Sequence, residues 1–327
     1  MADTRTPEVP SGVLQAFGLA EAEPHVLAGG AMNRHWLVTG VDQQVVLRQY
    51  HPSRERAAVE WEQSLVRHAG ARGWPVALPR VARDGGSIVE HDGTAWAAAP
   101  FLEGEQRATD SVAMANIHGR LLGRLHRDFA SFEQTEQRPG FGKVWELDEW
   151  VRYADAGSFN DLLRAFGQDF PGLATEIRKQ RYRNLRELSR LKYPDLPDMP
   201  IHGDFQRSNL LWKDGQLSGV LDFDLCRRDA LVCDIAAQLV PFQPLEIRLA
   251  AALVEGYQSV RRLNSLEFDL LPALARASML AGVAFLVVEW RVRGLLPVGI
   301  ARTMTSRFPA LDAAAAEFRA LGGVRAG

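Results

Sequence analysis

The chain has 327 residues, 46% hydrophobic and 24% charged, with a formal net charge of −2; it can bury a large core divided between two lobes, and its near-neutral balance excludes a global attraction to nucleic acid or an anionic membrane. Its two cysteines, Cys226 and Cys233, have no companions at zinc spacing and make no disulfide framework, which fits a reducing compartment. The stretch Met1 to Pro10 is polar with no apolar core, so no signal peptide is read and a cytoplasmic protein is expected.

In chain order, Ser11 can cap a short helix through Val13, Leu14 and Phe17, ended by Gly18. Strands are expected at residues 25–28, 35–39 and 45–50, the first two joined by Gly29, Gly30, Ala31, Met32 and Asn33. Residues 53–72 read as a helix with Ala58, Trp61, Leu65 and Ala69 on one face, broken by Pro75 and Pro79. Residues 87–90 and 94–102 form a hairpin around Asp92-Gly93. After Glu103-Gly104-Glu105 the pattern turns helical, first over 112–129 with Ile117, Leu121, Leu122 and Leu125 apolar. Further helices are expected at 145–154 and 173–191, separated by Pro171-Gly172, and one begins at Asp234, which would cap it. Three more follow at 246–262, 268–290 and 310–321. The most apolar run, Met279 to Val288, is about half of the roughly 20 residues a membrane helix needs and reads as a buried helix. The expected fold class is α+β, with a small β-rich N-terminal lobe (1–102) that would bind nucleotide and a larger, mostly helical lobe (103–327) carrying one hairpin, catalysis and the acceptor.

The chemistry concentrates between Ile201 and Asp224. Leu210 to Trp212 and Leu217 to Leu221 are short apolar strands joined through Asp214-Gly215, a strong two-residue hairpin signal. Folding back there brings Asn209 close to Asp222 at the open end. A carboxylate and an amide oxygen so placed suit Mg2+, which takes one or two protein oxygens plus phosphate oxygens. Asp204, five residues before Asn209, sits in the loop where a substrate hydroxyl could approach. A base, a metal-binding amide and a metal-binding carboxylate in that order form the layout of a kinase catalytic loop. His202 braces the loop. Asp224, two residues past Asp222, either assists a second metal or faces solvent.

The passage HGDFQRSNLLW, with GVLDFD and CDIA after it, resembles the aminoglycoside phosphotransferase family of small-molecule kinases, which includes homoserine-, choline- and methylthioribose-kinase-like branches. The resemblance covers most of the chain and implies a bilobal protein-kinase-like fold using ATP and Mg2+. Gly29 and Gly30 resemble the family's phosphate-side hairpin, PFLEGE (Pro100 to Glu105) its hinge, and LLGRLHR the helix after the hinge. Adenine would sit against the hinge near Ala98 to Phe101, with Ala99 and Phe101 among its contacts. The family's strand lysine is replaced here by Arg48, whose partner by spacing is Glu62, with Glu60 as the runner-up. Arginine still contacts phosphate, with a different reach and a planar fork.

Several other residues have plainer readings. His126 is a core histidine on an apolar helix face, and the basic run Arg178 to Arg190 is a solvated face. Trp145, Trp150 and Tyr153 either line a substrate pocket or pack in the core. Glu289-Trp290, Glu267 and Asp269 are candidate contacts for a cationic acceptor. Only eleven residues separate Asp222 from Asp234, too few for a protein kinase's activation segment, so the acceptor is expected to be a small hydroxylated molecule. An aminoglycoside-like antibiotic is the first expectation on family breadth. An amino alcohol such as homoserine is the alternative, and a nucleotide-binding regulatory protein of weak turnover, suggested by Arg48 and the sparse glycines, is a third. Neither nucleic acid nor membrane is expected as a partner, and the oligomeric state is not legible.

Overall fold

The computed structural model describes residues 8–27, 33–39, 44–107, 111–152, 157–240, 246–294 and 298–321. Its first elements are α1 (Ser11–Ala16), β1 (Pro24–Leu27), β2 (Arg34–Thr39), β3 (Gln44–Gln49), α2 (Arg56–Ala71), β4 (Val89–His91) and β5 (Thr94–Pro100). After β6 (Glu105–Gln106) come α3 (Val112–Phe129), α4 (Leu147–Trp150), α5 (Phe159–Asp169), α6 (Pro171–Arg190) and β7 (Met199–Ile201). The chain ends with β8 (Leu210–Lys213), β9 (Gln216–Val220), β10 (Arg227–Asp229), α7 (Val232–Leu239), α8 (Ile247–Gln258), α9 (Ser265–Arg293), α10 (Val298–Ser306) and α11 (Phe308–Ala320). Two compact units result, Met1–Glu105 with Leu210–Leu221, and Gln106–Asn209 with Asp222–Gly327. The hairpin β8–β9 thus falls with the first unit, whereas the sequence reading placed it in the second lobe.

The first unit is built on an antiparallel sheet in the order β1-β2-β3-β5-β4. Strand alternation divides its residues between two faces. Trp36, Val38, Val45, Leu47, Trp96 and Ala98 pack under Val13, Leu14 and Phe17 of the α1 region. Tyr50, Ala95 and Ala97 pack with Val59 of α2, and Arg48, paired in register with Ala97, shares this second face. Both Asp-Gly pairs form the expected two-residue turns. Asp92 and Gly93 have φ of 48° and 70°, Asp214 and Gly215 of 51° and 80°, the left-handed pair such a hairpin requires. The β8–β9 hairpin is held by Val220 N–H to the Pro75 carbonyl, 2.8 Å, and by Ser218 Oγ to the Glu103 carbonyl, 2.8 Å.

The second unit centres on α9, a 29-residue helix packed by α5, α6, α7 and α11. Its composition and length would cross a membrane, but 72% of its most apolar window is buried; it is the unit's core helix. Asn264 and Glu267 form a reciprocal capping box at its start. Helices α3 and α8 pack most closely, because Gly119 and Gly256 let one backbone meet the other. A Cβ on Gly119 would run into the Leu253 carbonyl, and one on Gly256 into that of Asn116. Gly119→Ala is therefore expected to destabilise the fold by about 1–3 kcal/mol, the range for overpacking a tight core, read as a lower urea midpoint.

Some element boundaries differ from expectation. Ser11 lies inside α1 and caps nothing. Pro171 starts α6 at its first position, where a missing N–H costs nothing. The helix expected over 145–154 is the single turn α4, and the expected strand residue Ala28 and residue Tyr153 lie outside the described residues. Helices α5 and α10 were not foreseen.

Candidate active site

Strand β7 ends at Ile201, and the chain turns at Gly203 with φ +82°. A side chain there would strike the Leu225 carbonyl, so only glycine permits the turn that presents Asp204. The Asp204 carboxylate Oδ2 accepts from Asn209 Nδ2 at 2.9 Å and from Gln206 Nε2 at 3.0 Å. Asn209 Nδ2 also donates to the Asp204 carbonyl, 2.8 Å. These two donations turn the amide so that its Oδ1 points away from Asp204. Burial, then the charge of Asp222, raises the Asp204 pKa to about 6, against the lowering influence of Asn209 and Gln206. Asp204 and Asp222 therefore sense each other as like charges, Asn209 touches Asp204, and all three belong to the second unit.

Asp222 has φ +59°, a left-handed conformation uncommon outside glycine and tolerated by Asp. Its carboxylate Oδ1 accepts from Asp224 N–H at 3.4 Å and opens a single 3-10 turn, Phe223–Leu225. Asp224 is 5% exposed, which removes the expectation that it faces solvent. Among the described residues no three His, Cys, Asp or Glu side chains gather as a ready-made metal cage. An amide oxygen with carboxylates is the kind of donor set that would fit a hard cation drawing the rest of its shell from phosphate and water.

The loop's hold on the core was only partly legible. His202 is fully buried, accepts Asp204 N–H on Nδ1 at 3.3 Å and packs its ring 4.5 Å from Phe223, the bracing role expected of it. His126 is the satisfied core histidine expected, with Nε2 donating to Asp234 Oδ2 at 3.1 Å and Nδ1 2.8 Å from the Tyr257 hydroxyl. Asp234, however, is no helix cap. Helix α7 begins two residues earlier, at Val232, and the Asp234 carboxylate accepts the backbone N–H groups of His202, 2.9 Å, and Gly203, 2.8 Å. Sequence reasoning also missed His118, whose Nε2 donates to the Phe205 carbonyl at 2.8 Å. Burial, against that bond and with help from Arg207, lowers its pKa to about 4, so His118 is neutral at pH 7. Its signal was an eight-residue spacing to His126, which puts both on one face of α3.

In the first unit Arg48 Nη1 donates to Glu62 Oε1 at 2.7 Å, with the Tyr50 hydroxyl on the same oxygen at 3.1 Å and the guanidinium over the Tyr50 ring at 4.5 Å. Glu60 instead pairs with Arg56 at the surface. Ala99 is half-buried. Phe101 N–H donates to the Gln44 carbonyl, 3.0 Å, so that donor is not presented to a nucleotide; the ring is 39% exposed. Gly29 and Gly30 lie outside the described residues.

Glu267 is occupied by its capping box and by Arg261, Asp269 is exposed and Glu289 buried. Trp145 and Trp150 are half-buried, packed edge-on against Tyr193 and Phe141. Arg178, Lys179, Arg183, Arg186 and Arg190 are exposed as expected, but Arg181 is half-buried and bonds Asn160.

The sequence profile of the phosphotransferase enzyme family matches residues 24–269. The chain belongs to that family. Among curated relatives, a homoserine kinase from Rhizobium johnstonii is 29% identical over 269 residues, covering 81% of this chain and 79% of the relative. Among solved structures, an amicoumacin kinase in complex with AMP-PNP, Ca2+ and Ami is 15% identical with a TM-score of 0.67 over 89% of this chain and 88% of that one. A microcompartment-associated aminopropanol kinase is 18% identical with a TM-score of 0.67 over 94% and 95%. The phosphotransferase is α+β with a protein-kinase-like fold, and it is a small-molecule kinase with a hydroxyl group as acceptor.

Proposed function

We propose that this phosphotransferase moves the γ-phosphoryl group of ATP to the hydroxyl of a small amino alcohol of the homoserine type. The observation that supports the acceptor is the similarity to homoserine kinase along about four-fifths of both chains. The earlier expectation of an aminoglycoside-like antibiotic gives way to it, because the likeness to the antibiotic kinase, at 15% identity, carries fold and not acceptor.

In this reading Asp204 is the group that orients the acceptor hydroxyl and takes its proton. With a pKa of about 6 it is anionic at neutral pH and closer to the working pH than an ordinary carboxylate, as a general base requires. Gln206 and Asn209 fix its rotamer, so positioning rather than proton affinity supplies most of the effect. Asn209 Oδ1 and Asp222 would hold Mg2+. When bound, that cation offsets phosphate charge at the transferring group. Glu62 and Tyr50 hold the Arg48 guanidinium ready for phosphate oxygens. Gly29 and Gly30 would follow the phosphates, while Ala99 and the Phe101 ring would contact adenine.

The arginine at position 48 also motivates the second reading, a nucleotide-binding protein with weak turnover. ADP release with Mg-ATP decides between them, measured across homoserine, aminopropanol, choline and aminoglycosides. Homoserine-type acceptors are expected to give the highest kcat/KM. A clear preference for an aminoglycoside would overturn the acceptor assignment, and ATP binding without turnover on any acceptor would favour the second reading.

A further inference from the structure

The connection between α3 and α4 carries a contact that the catalytic motif does not foreshadow. Gln137 lies alongside Arg228 of β10 as a strand would. Its Oε1 accepts Arg228 N–H at 2.8 Å, and its Nε2 donates to the Arg228 carbonyl at 2.8 Å. The same Oε1 accepts Arg138 N–H at 3.0 Å, which aims the next side chain inward. Arg138 is fully buried. Its Nη1 donates to the carbonyls of Asp224, 2.8 Å, Cys226, 3.1 Å, and Phe223, 3.4 Å, and its guanidinium lies over the Phe141 ring at 4.1 Å.

An arginine is a poor choice if filling space were the only task. Burying a guanidinium carries a large desolvation penalty that an apolar side chain of similar volume avoids. What an apolar side chain cannot do is draw three carbonyls of one turn onto one nitrogen. That convergence fixes the peptide planes after Phe223, Asp224 and Cys226, on both sides of Asp224 and next to Asp222. Asp222 itself occupies a left-handed conformation that Asp tolerates, so the direction of its carboxylate depends on how the turn that follows it is held. We propose that Gln137 and Arg138 form a strap that fixes the turn bearing Asp222 and Asp224, making Arg138 a positioning residue for divalent-metal binding. The inference rests on Asp222 being a metal ligand, as the proposed function has it. It adds that the metal grip is set from the segment leading into α4.

The test is Mn2+ binding to the full chain with AMP-PNP, followed by the electron paramagnetic resonance of free Mn2+, alongside urea unfolding. Removing a group that orients a metal ligand weakens affinity by about 10–100-fold. Arg138→Met is expected to fall in that range, and Arg138→Lys, which keeps charge without the fork, between it and wild type. Gln137→Leu, which cuts the strap at its other anchor, is expected to weaken Mn2+ at a near-normal urea midpoint. Asp222→Asn is the reference. If it loses Mn2+ while folded Arg138→Met binds as wild type does, the strap is refuted and the function reading stands. If Asp222→Asn itself binds normally, the metal-ligand assignment fails and the strap with it. Should Arg138→Met not fold, wild-type Mn2+ affinity in Gln137→Leu refutes the strap on its own.

Discussion

Asp204→Asn is expected to lower turnover by about 10²–10⁴-fold, the contribution of a positioned general base, and at the same time to stabilise the metal-free protein. The second effect follows from the sign of the shift. An ordinary Asp titrates near about 3.9, whereas burial and the charge of Asp222 raise Asp204 to about 6. Between those values the folded chain holds a proton that the unfolded chain has released, so stability declines as pH rises through the window. Above pH 6 the full penalty applies, about 2–3 kcal/mol at 1.36 kcal/mol per pKa unit. Asparagine cannot ionise, yet its carbonyl can still accept from Asn209 and Gln206. Urea titrations of both proteins without metal should therefore separate at pH 8 and converge toward pH 4. Coincident midpoints at pH 8 would show that Asp204 is not under this strain. Nucleotide affinity should remain close to wild type, which distinguishes loss of the base from loss of the fold.

Asp234→Ala is the second large effect and runs the opposite way. One buried carboxylate accepts His202 N–H, Gly203 N–H and His126 Nε2–H, and alanine leaves all three donors without it, two buried and the Gly203 N–H partly so. Unsatisfied buried groups cost about 1–3 kcal/mol each; with partial relaxation the expected loss is about 3–5 kcal/mol, a large share of the stability of any domain. Burial is the largest influence on the Asp234 pKa and pushes it up. Hydrogen bonding from His126, with the charges of His126, His202 and Arg227, outweighs burial and holds the carboxyl below its ordinary value. Its contribution is thus present above the ordinary carboxylate range and lost as pH falls through and below it. The urea midpoint of Asp234→Ala should lie far below wild type at pH 7, with the gap narrowing in acid. A drop in turnover with an unchanged midpoint would contradict the structural role.

Local chemistry in the sequence foretold local structure well. Asp92-Gly93 and Asp214-Gly215 are legible because few residues accept left-handed backbone, and Glu62 is legible as the partner of Arg48 because the family resemblance calls for a helix glutamate and chain spacing favours Glu62 over Glu60. Helix α5 was missed although Phe159, Leu162, Leu163 and Phe166, all buried, repeat at helical spacing. Pro171-Gly172 reads as a break, whereas α5 ends just before it, at Asp169, and α6 begins on Pro171. Long-range partners were harder. Asp234 fits the pattern of a capping residue, and only the arrival of His202 and Gly203 from 31–32 residues away shows what it holds. Arg138 carries no signal at all, since nothing in Gln-Arg-Pro-Gly distinguishes a buried guanidinium from a surface one.

The way His118, His126 and Asp234 grip the loop around Asp204 has a consequence for how the enzyme meets its acceptor. That loop is irregular in backbone shape, yet its amides and carbonyls end on side chains rooted in α3 and α7, as core strands end on their neighbours. The entropy of arranging it is settled when the chain folds, not when a ligand arrives. With Asp204 in its proposed role, acceptor affinity would be free of the ordering penalty that a mobile loop imposes.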